Sequence, residues 1–196
     1  MARKKPTRDQ IIDAAFELFA EKGWQATSLN DIADAVGVSL SDLSAEFGLK
    51  SQILTAVIEK VDKEVLEDTD PADSEESHRD RLFDILMRRF DALLPYKEGL
   101  ERVTRDLPRD PSTAFVVACR VKRSLSWMLA AAGIDSDGLR GMLRVKGLGA
   151  VWALTMRDWF SDDSPDMSKT MASLDKNLAR AESLELSLRR GTAPSE

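Results

Sequence analysis

Residues 28–47, SLNDIADAVGVSLSDLSAEF, decide the fold of this chain. They read as two short helices joined by a tight turn. Ile32, Ala33 and Val36 give the first an apolar face, and Leu43 and Phe47 give the second its own. Between them, Gly37 can take the left-handed backbone conformation that ends a helix. Ser39 can cap the next helix, with Asp42 as the acidic residue of its first turn. The small Ala33 falls where two crossing helices must approach closely. This is the sequence form of a helix-turn-helix, whose second helix enters the DNA major groove.

The flanking sequence extends the pattern. Upstream, Thr7 and Gln10 form a capping box for a helix running to Gly23. Its apolar residues Ile11, Ala15, Leu18 and Phe19 recur at helical spacing, and Trp24 closes over the small core. Thr27 or Ser28 caps the next helix. Downstream, a helix from about Lys50 carries a long stripe, Ile53, Leu54, Val57, Ile58, Val61, Val65 and Leu66. The acidic run Glu67–Glu76 contains Pro71 and reads as an exposed loop and domain boundary.

Four further helices follow: His78–Leu94, Lys97–Leu107, Ser112–Ala132 and Leu139–Phe160. Pro95, Pro108, Pro111 and Gly133 punctuate them, and Asp137 can cap the last. Gly141, Gly147 and Gly149 lie inside that last helix, where glycine costs stability, which suggests close helix–helix approach. The final helix runs from Met167 to about Arg189. Its Met167, Met171, Leu174, Leu178 and Ala181 alternate steps of four and three, a heptad seam that breaks at Glu185 while Leu184 and Leu188 carry the stripe on. Leu148, Trp152, Thr155 and Trp159 form a similar seam. Two such helices packed on copies of themselves make a four-helix dimer interface, with Leu148, Trp152, Thr155, Trp159, Met171, Leu174, Leu178, Ala181 and Leu184 facing the partner; the alternative is a seam within one subunit.

Composition bounds the rest. Hydrophobic residues make up 43% of the 196 positions, enough for a real core. No apolar run reaches the length of a membrane span. The basic N-terminus runs into an amphipathic helix rather than a signal-peptide core. The single cysteine, Cys119, excludes an internal disulfide framework and fits the cytoplasm. Cys119 and the one histidine, His78, are far apart, so no metal site is expected, and neither has an expected chemical role. No nucleophile, base or phosphate-loop set appears, so the chain is not expected to be an enzyme or to need a cofactor. The net charge is −6, and the first 50 residues hold six cations against eight acids. Four of those cations, Arg3, Lys4, Lys5 and Arg8, lie in the first eight residues. Electrostatic attraction to DNA then rests mostly on that arm.

The whole pattern resembles the tetracycline-repressor (TetR) family of bacterial regulators, most sharply over residues 7–62. The resemblance rests on IIDAAFELFAEKGWQATS, LNDIADAVGVS and the Phe47-to-Leu54 entry into the long fourth helix. It implies an all-α homodimer with a three-helix helix-turn-helix head, residues 1–48. A linking helix, 49–66, leads to a helical ligand-binding and dimerisation body, 67–190, and a disordered tail, 191–196. It also implies that Thr27 and Lys50 hold phosphates. After the turn the family has a small residue or Lys, then Gly or Thr, then Leu-Tyr-x-Tyr-Phe. This chain keeps Leu43 and Phe47 but has Ser44 and Glu46 at the aromatic positions, and its reading helix holds two acids and no cation. The segment from Ala132 to Ser183 is similar to the C-terminal part of the coenzyme Q biosynthesis accessory protein family. Its strongest matches are Trp159-Phe160, Asp163-Ser164-Pro165-Asp166 and Thr170–Leu174. Those proteins share the architecture, do not read DNA and bind lipids.

Two functions are therefore expected. The first is a cytoplasmic, ligand-responsive regulator that binds a near-palindromic DNA operator as a homodimer and acts as a repressor. Arg3, Lys4, Lys5, Thr27, Ser28, Ser39, Leu40, Ser41, Asp42, Ser44 and Lys50 are its candidate DNA contacts. An apolar small molecule or lipid is its effector, with Phe83, Met87, Phe90, Phe115, Trp127, Met128, Trp152 and Met156 as candidate pocket residues. These are equally readable as plain core. The second is a lipid or isoprenoid carrier accessory to quinone synthesis. Arg140, Arg144 and Lys146 read as a solvated face.

Overall fold

The computed structural model describes residues 6–67 and 77–191. Arg3, Lys4 and Lys5, most of the acidic loop and the tail beyond Gly191 lie outside the described residues. The described residues form an all-helical fold. In chain order the helices are α1 (Arg8–Lys22), α2 (Leu29–Val36), α3 (Leu40–Glu46), α4 (Lys50–Glu67), α5 (His78–Leu93), α6 (Lys97–Asp106), α7 (Pro111–Ala131), α8 (Gly138–Phe160) and α9 (Ser168–Gly191). Pro95 and Pro108 each lie in a single 3-10 turn, Leu94–Tyr96 and Leu107–Arg109, and the chain leaves helical geometry at Asp110 (φ −132°) before α7. The chain divides into two compact units, Met1–Glu64 with Phe90–Val121, and Val65–Arg89 with Lys122–Glu196.

In the first unit, the Thr7–Gln10 capping box starts α1 as its sequence predicts. Ile11, Ile12, Ala15, Phe16 and Phe19 are buried from α1, and Trp24 closes the core at 2% exposure. The Phe19 and Trp24 rings lie 5.2 Å apart, and the Phe16 and Phe19 rings meet edge to face at 5.3 Å. Each such side chain contributes about 2 kcal/mol through burial. α6 crosses α1 closely at Gly99, where a Cβ would stand 2.7 Å from the Phe16 carbonyl oxygen. Tyr96 extends this seam: its hydroxyl donates to Asp13 at 3.0 Å and accepts from Lys60 at 3.1 Å.

In the second unit, α8 lies along α9. The seam residues Leu148, Trp152, Thr155, Trp159, Leu174 and Leu178 are buried within the chain, with Thr155, Trp159 and Leu174 at 0% exposure. Their assignment to a partner-facing surface is therefore corrected: the periodic stripe packs α8 against α9 of the same chain. Asn177 donates to the Thr155 hydroxyl at 3.3 Å across that seam. Met171 and Ala181 are half-buried, and Leu184 is exposed.

The joint between α8 and α9 is organised by Asp162. Its buried carboxylate accepts from the backbone N–H and hydroxyl of Thr170 at 2.7 and 2.6 Å, and from the N–H and hydroxyl of Ser164. Burial alone would raise this carboxyl, but the hydrogen bonds outweigh it and hold it well below the usual carboxylate range. Ser164 and Thr170 of the body segment thus serve the joint between α8 and α9.

The glycines of α8 serve other ends than expected. Gly141 makes room for the preceding turn, since a Cβ there would stand 2.0 Å from the Ser136 carbonyl carbon. At Gly147 nothing lies within 4 Å, and at Gly149 only Leu125 does, in ordinary contact. No helix among the described residues is long and apolar enough to cross a membrane.

Candidate nucleic-acid interface

The helix-turn-helix forms as its residues dictate. Ser28 caps α2 and makes a capping box with Asp31, whose side chain accepts the Ser28 N–H at 2.8 Å. Those hydrogen bonds from Ser28, with the Lys22 ammonium 3.2 Å away, lower the Asp31 carboxyl to about 2. Gly37 ends α2 in the left-handed region (φ 68°), and the N–H of Val38 reaches the Ala33 carbonyl at 3.0 Å. Ser39 caps α3 by accepting the Asp42 N–H at 3.1 Å. Leu43 and Phe47 are fully buried.

α3 therefore presents Leu40, Ser41, Asp42, Ser44 and Ala45 outward. Leu40 is 45% exposed. Apolar tips of this kind suit thymine methyl groups, and small hydroxyls suit base edges or phosphates. Ser39 and Asp42 are engaged with each other, the Ser39 hydroxyl donating at 2.6 Å. The Ser44 hydroxyl donates to the Ser41 carbonyl at 2.9 Å.

Two expected phosphate contacts point the other way. Thr27 is 1% exposed, and its hydroxyl donates to the Gly23 carbonyl at 2.8 Å. It neither caps α2 nor reaches the surface. The Lys50 ammonium donates to the carbonyls of Trp24 and Thr27, the latter at 2.6 Å, and sits 4.1 Å from the centre of the Trp24 ring. Partial burial lowers its pKa from the ordinary lysine value, opposed by the charges of Asp110, Asp106 and Asp31. Lys50 ties the start of α4 to the turn between α1 and α2.

A cation that the motif did not single out lies closer to α3. The exposed Arg8 holds its guanidinium 4.4 Å from the centre of the Phe47 ring, at the C-terminal end of α3. Nothing in the local pattern signals this, because the two residues meet only through the fold of α1 onto α3.

The candidate effector residues are scattered by the structure. Phe115 and Trp127 are 70% and 53% exposed, so neither lines an enclosed cavity. Phe90, Met128 and Trp152 are buried, and Phe83, Met87 and Met156 are half-buried. Under Trp152 lies a buried arginine that periodicity could not reveal: the Arg89 guanidinium is 4.8 Å from the ring centre and donates to the Ser124 hydroxyl. Phe83 and Met171 also border an open depression of about 510 Å³ between α5 and α9, rimmed by Asp80, Asp84 and Asp175. Arg144 is not a solvated residue: it pairs with Glu185 and donates to the Asp135 carbonyl at 2.8 Å.

This geometry agrees with what the chain is similar to. Residues 11–57 match the family model for bacterial regulatory proteins of the tetR family. The chain is 26% identical over 162 residues to the HTH-type transcriptional activator FasR of Mycolicibacterium smegmatis, covering 81% of this chain and 74% of that protein. It is 40% identical over 53 residues to the HTH-type transcriptional repressor ComR of Escherichia coli, about a quarter of each protein (27% and 25%). The crystal structure of a TetR transcriptional regulator from Nitrosomonas europaea superposes with a TM-score of 0.69 at 27% identity, covering 89% of this chain and 97% of that one. Together these say what the chain is similar to: regulators of the TetR family, in the helix-turn-helix head by sequence and over most of the chain in fold.

Proposed function

We propose that this chain is a ligand-responsive transcriptional regulator that binds a near-palindromic operator as a homodimer in the cytoplasm. The observation that carries the reading is the complete helix-turn-helix, with both caps made and Leu40, Ser41, Ser44 and Ala45 facing outward. Named relatives include both an activator and a repressor, and repression is the simpler expectation for a head that blocks a promoter. Phosphates are held by Arg8, the basic arm Arg3, Lys4 and Lys5, and the hydroxyls of α3, rather than by Thr27 and Lys50.

The head comprises residues 1–48 and the body residues 67–190. Dimerisation uses the face of α8 left open by the α8–α9 seam. Leu143, Gly147, Ala150 and Leu154 follow steps of four, three and four, and Leu143 and Leu154 are 52% and 44% exposed. Exposed Leu184 of α9 joins them. An apolar small molecule or lipid enters the body near Phe83, Met87, Met128, Trp152 and Met156 and releases the DNA.

Fluorescence anisotropy on the DNA upstream of the chain's own gene tests this reading. A regulator gives a Kd below about 1 µM with a linear log Kd against log salt. No binding at low salt would sink it. A second reading, a lipid carrier that keeps the fold without reading DNA, is favoured by the inward turn of Lys50 and the acidic α3. Native mass spectrometry showing co-purified lipid in a chain that binds no DNA would select it.

A further inference from the structure

The turn between α1 and α2, residues 23–27, is held from two sides by residues outside the helix-turn-helix. Lys50 takes its carbonyls, as described. Its donors go to the joint between α6 and α7: Trp24 Nε1 donates to Asp110 Oδ2 at 3.1 Å, and the Gln25 N–H donates to Asp106 Oδ2 at 3.3 Å. Gly23, at φ 84°, passes so close that a Cβ would stand 3.1 Å from that same Asp106 oxygen. These groups lie between helices, so no helical ladder satisfies them. The other oxygen of Asp110 accepts the Thr113 N–H at 3.1 Å and the Ser112 hydroxyl at 2.8 Å, starting α7. One carboxylate therefore caps α7 and fastens the turn that leads into the reading motif.

We propose that Asp110 and Asp106 are positioning residues for DNA binding, setting the placement of α2 and α3 on α1 through Trp24 and Gln25. The α6–α7 joint is then a working part of the head, although it lies some 50 residues beyond residues 11–57, which match the family. Movement of α6 reaches the motif directly, through α1 at Gly99 and through this turn, without passing along α4. The proposal rests on the DNA-binding reading above.

Asp110→Asn tests it. Its oxygen keeps the α7 cap and its amide turns an N–H toward the Trp24 N–H, so the fastening is lost. Trp24→Phe removes the same bond from the other side, and Ser112→Ala is the control that leaves Trp24 untouched. Two readouts are taken on folded full-length protein: operator affinity by anisotropy and hydrogen exchange of residues 29–46. Each of D110N and W24F weakens operator binding roughly tenfold, the scale of one hydrogen bond to a charged group. The double variant is no weaker than the worse single one. In D110N, which leaves the Trp24 ring in the core, exchange in residues 29–46 quickens while that of α1 is unchanged, the salt slope stays at the wild-type value, and S112A changes nothing. Unchanged affinity and exchange in D110N would overturn the proposal, as would equal effects in S112A. If the wild-type chain binds no DNA, the functional reading fails, and the exchange measurement still decides whether the joint positions the motif.

Discussion

Arg144 on α8 reaches Glu185 on α9 with both Nε and an Nη nitrogen 3.0 Å from the same carboxylate oxygen. This pair explains why the heptad of the last helix breaks where it does: the seam position after Ala181 is a charge because its counter-ion waits on the neighbouring helix. Arg144 is 20% exposed and Glu185 42%, so the pair is screened on one side only. Arg144 also holds the Asp135 carbonyl. Arg144→Met should therefore destabilise by about 1–2 kcal/mol, and Glu185→Ala by about half of that. Urea denaturation should show the midpoint falling in that order with m unchanged.

The two faces of α8 make opposite predictions. Leu154→Glu places a charge on the outer stripe, which a single chain leaves in water. It should leave the fold and helix content intact while converting a dimer to a monomer in analytical ultracentrifugation. Trp159→Ala empties a fully buried position and should cost about 3–5 kcal/mol, lowering Tm without a folded monomer appearing. A dimer unaffected by L154E and by L143E would remove this face from the interface.

How far the sequence carried can be judged from these same residues. The helices, the caps at Thr7, Ser28 and Ser39 and the turn at Gly37 were legible because capping and periodicity act within a few residues, whereas Asp137 precedes α8 without making the expected side-chain cap. The partner of a seam was not. A stripe such as Leu148, Trp152, Thr155 and Trp159 states that a face is buried and is silent on whether the covering helix is in the same chain. Lys50 and Thr27 show the same limit from the polar side. Their position in the motif suggested phosphates, but their direction depends on the carbonyls of Trp24 and Thr27 and on a buried niche under Gly23. Arg8 on Phe47, Arg89 under Trp152 and Asp110 on Trp24 join residues 39, 63 and 86 positions apart, and no local pattern encodes such pairings.

Acid should loosen both units over one pH range. Asp31 is lowered to about 2 by its hydrogen bonds from Ser28, with Lys22 assisting. Asp162 is held lower still by Ser164 and Thr170 against the effect of burial. A carboxyl whose folded pKa lies below its unfolded value near 3.9 adds stability that is complete above that value and is lost as pH falls toward the folded one. Thermal melts should thus be flat from pH 7 to about pH 5, then fall between pH 4 and 2. Asp162→Ala should cost about 2–4 kcal/mol at pH 7 by leaving the Thr170 and Ser164 donors without their acceptor. Its melts should also fall less steeply in acid. An equally steep acid transition in D162A would show that other carboxylates dominate.

The salt dependence of operator binding separates cations that meet phosphate from cations that build the head. Each phosphate contact removed lowers the slope of log K against log salt by about 0.9. Arg8 is exposed beside α3, so Arg8→Ala should lower the slope by about 0.9 per protomer and weaken binding across all DNA sequences. Lys50 directs its ammonium to two carbonyls and lies over the Trp24 ring. Lys50→Met should therefore leave the slope unchanged. It should instead lower the stability of the head by about 1–3 kcal/mol, because the Trp24 and Thr27 carbonyls lose a charged donor. A slope that falls in K50M and holds in R8A would reverse the assignment and return Lys50 to the DNA surface.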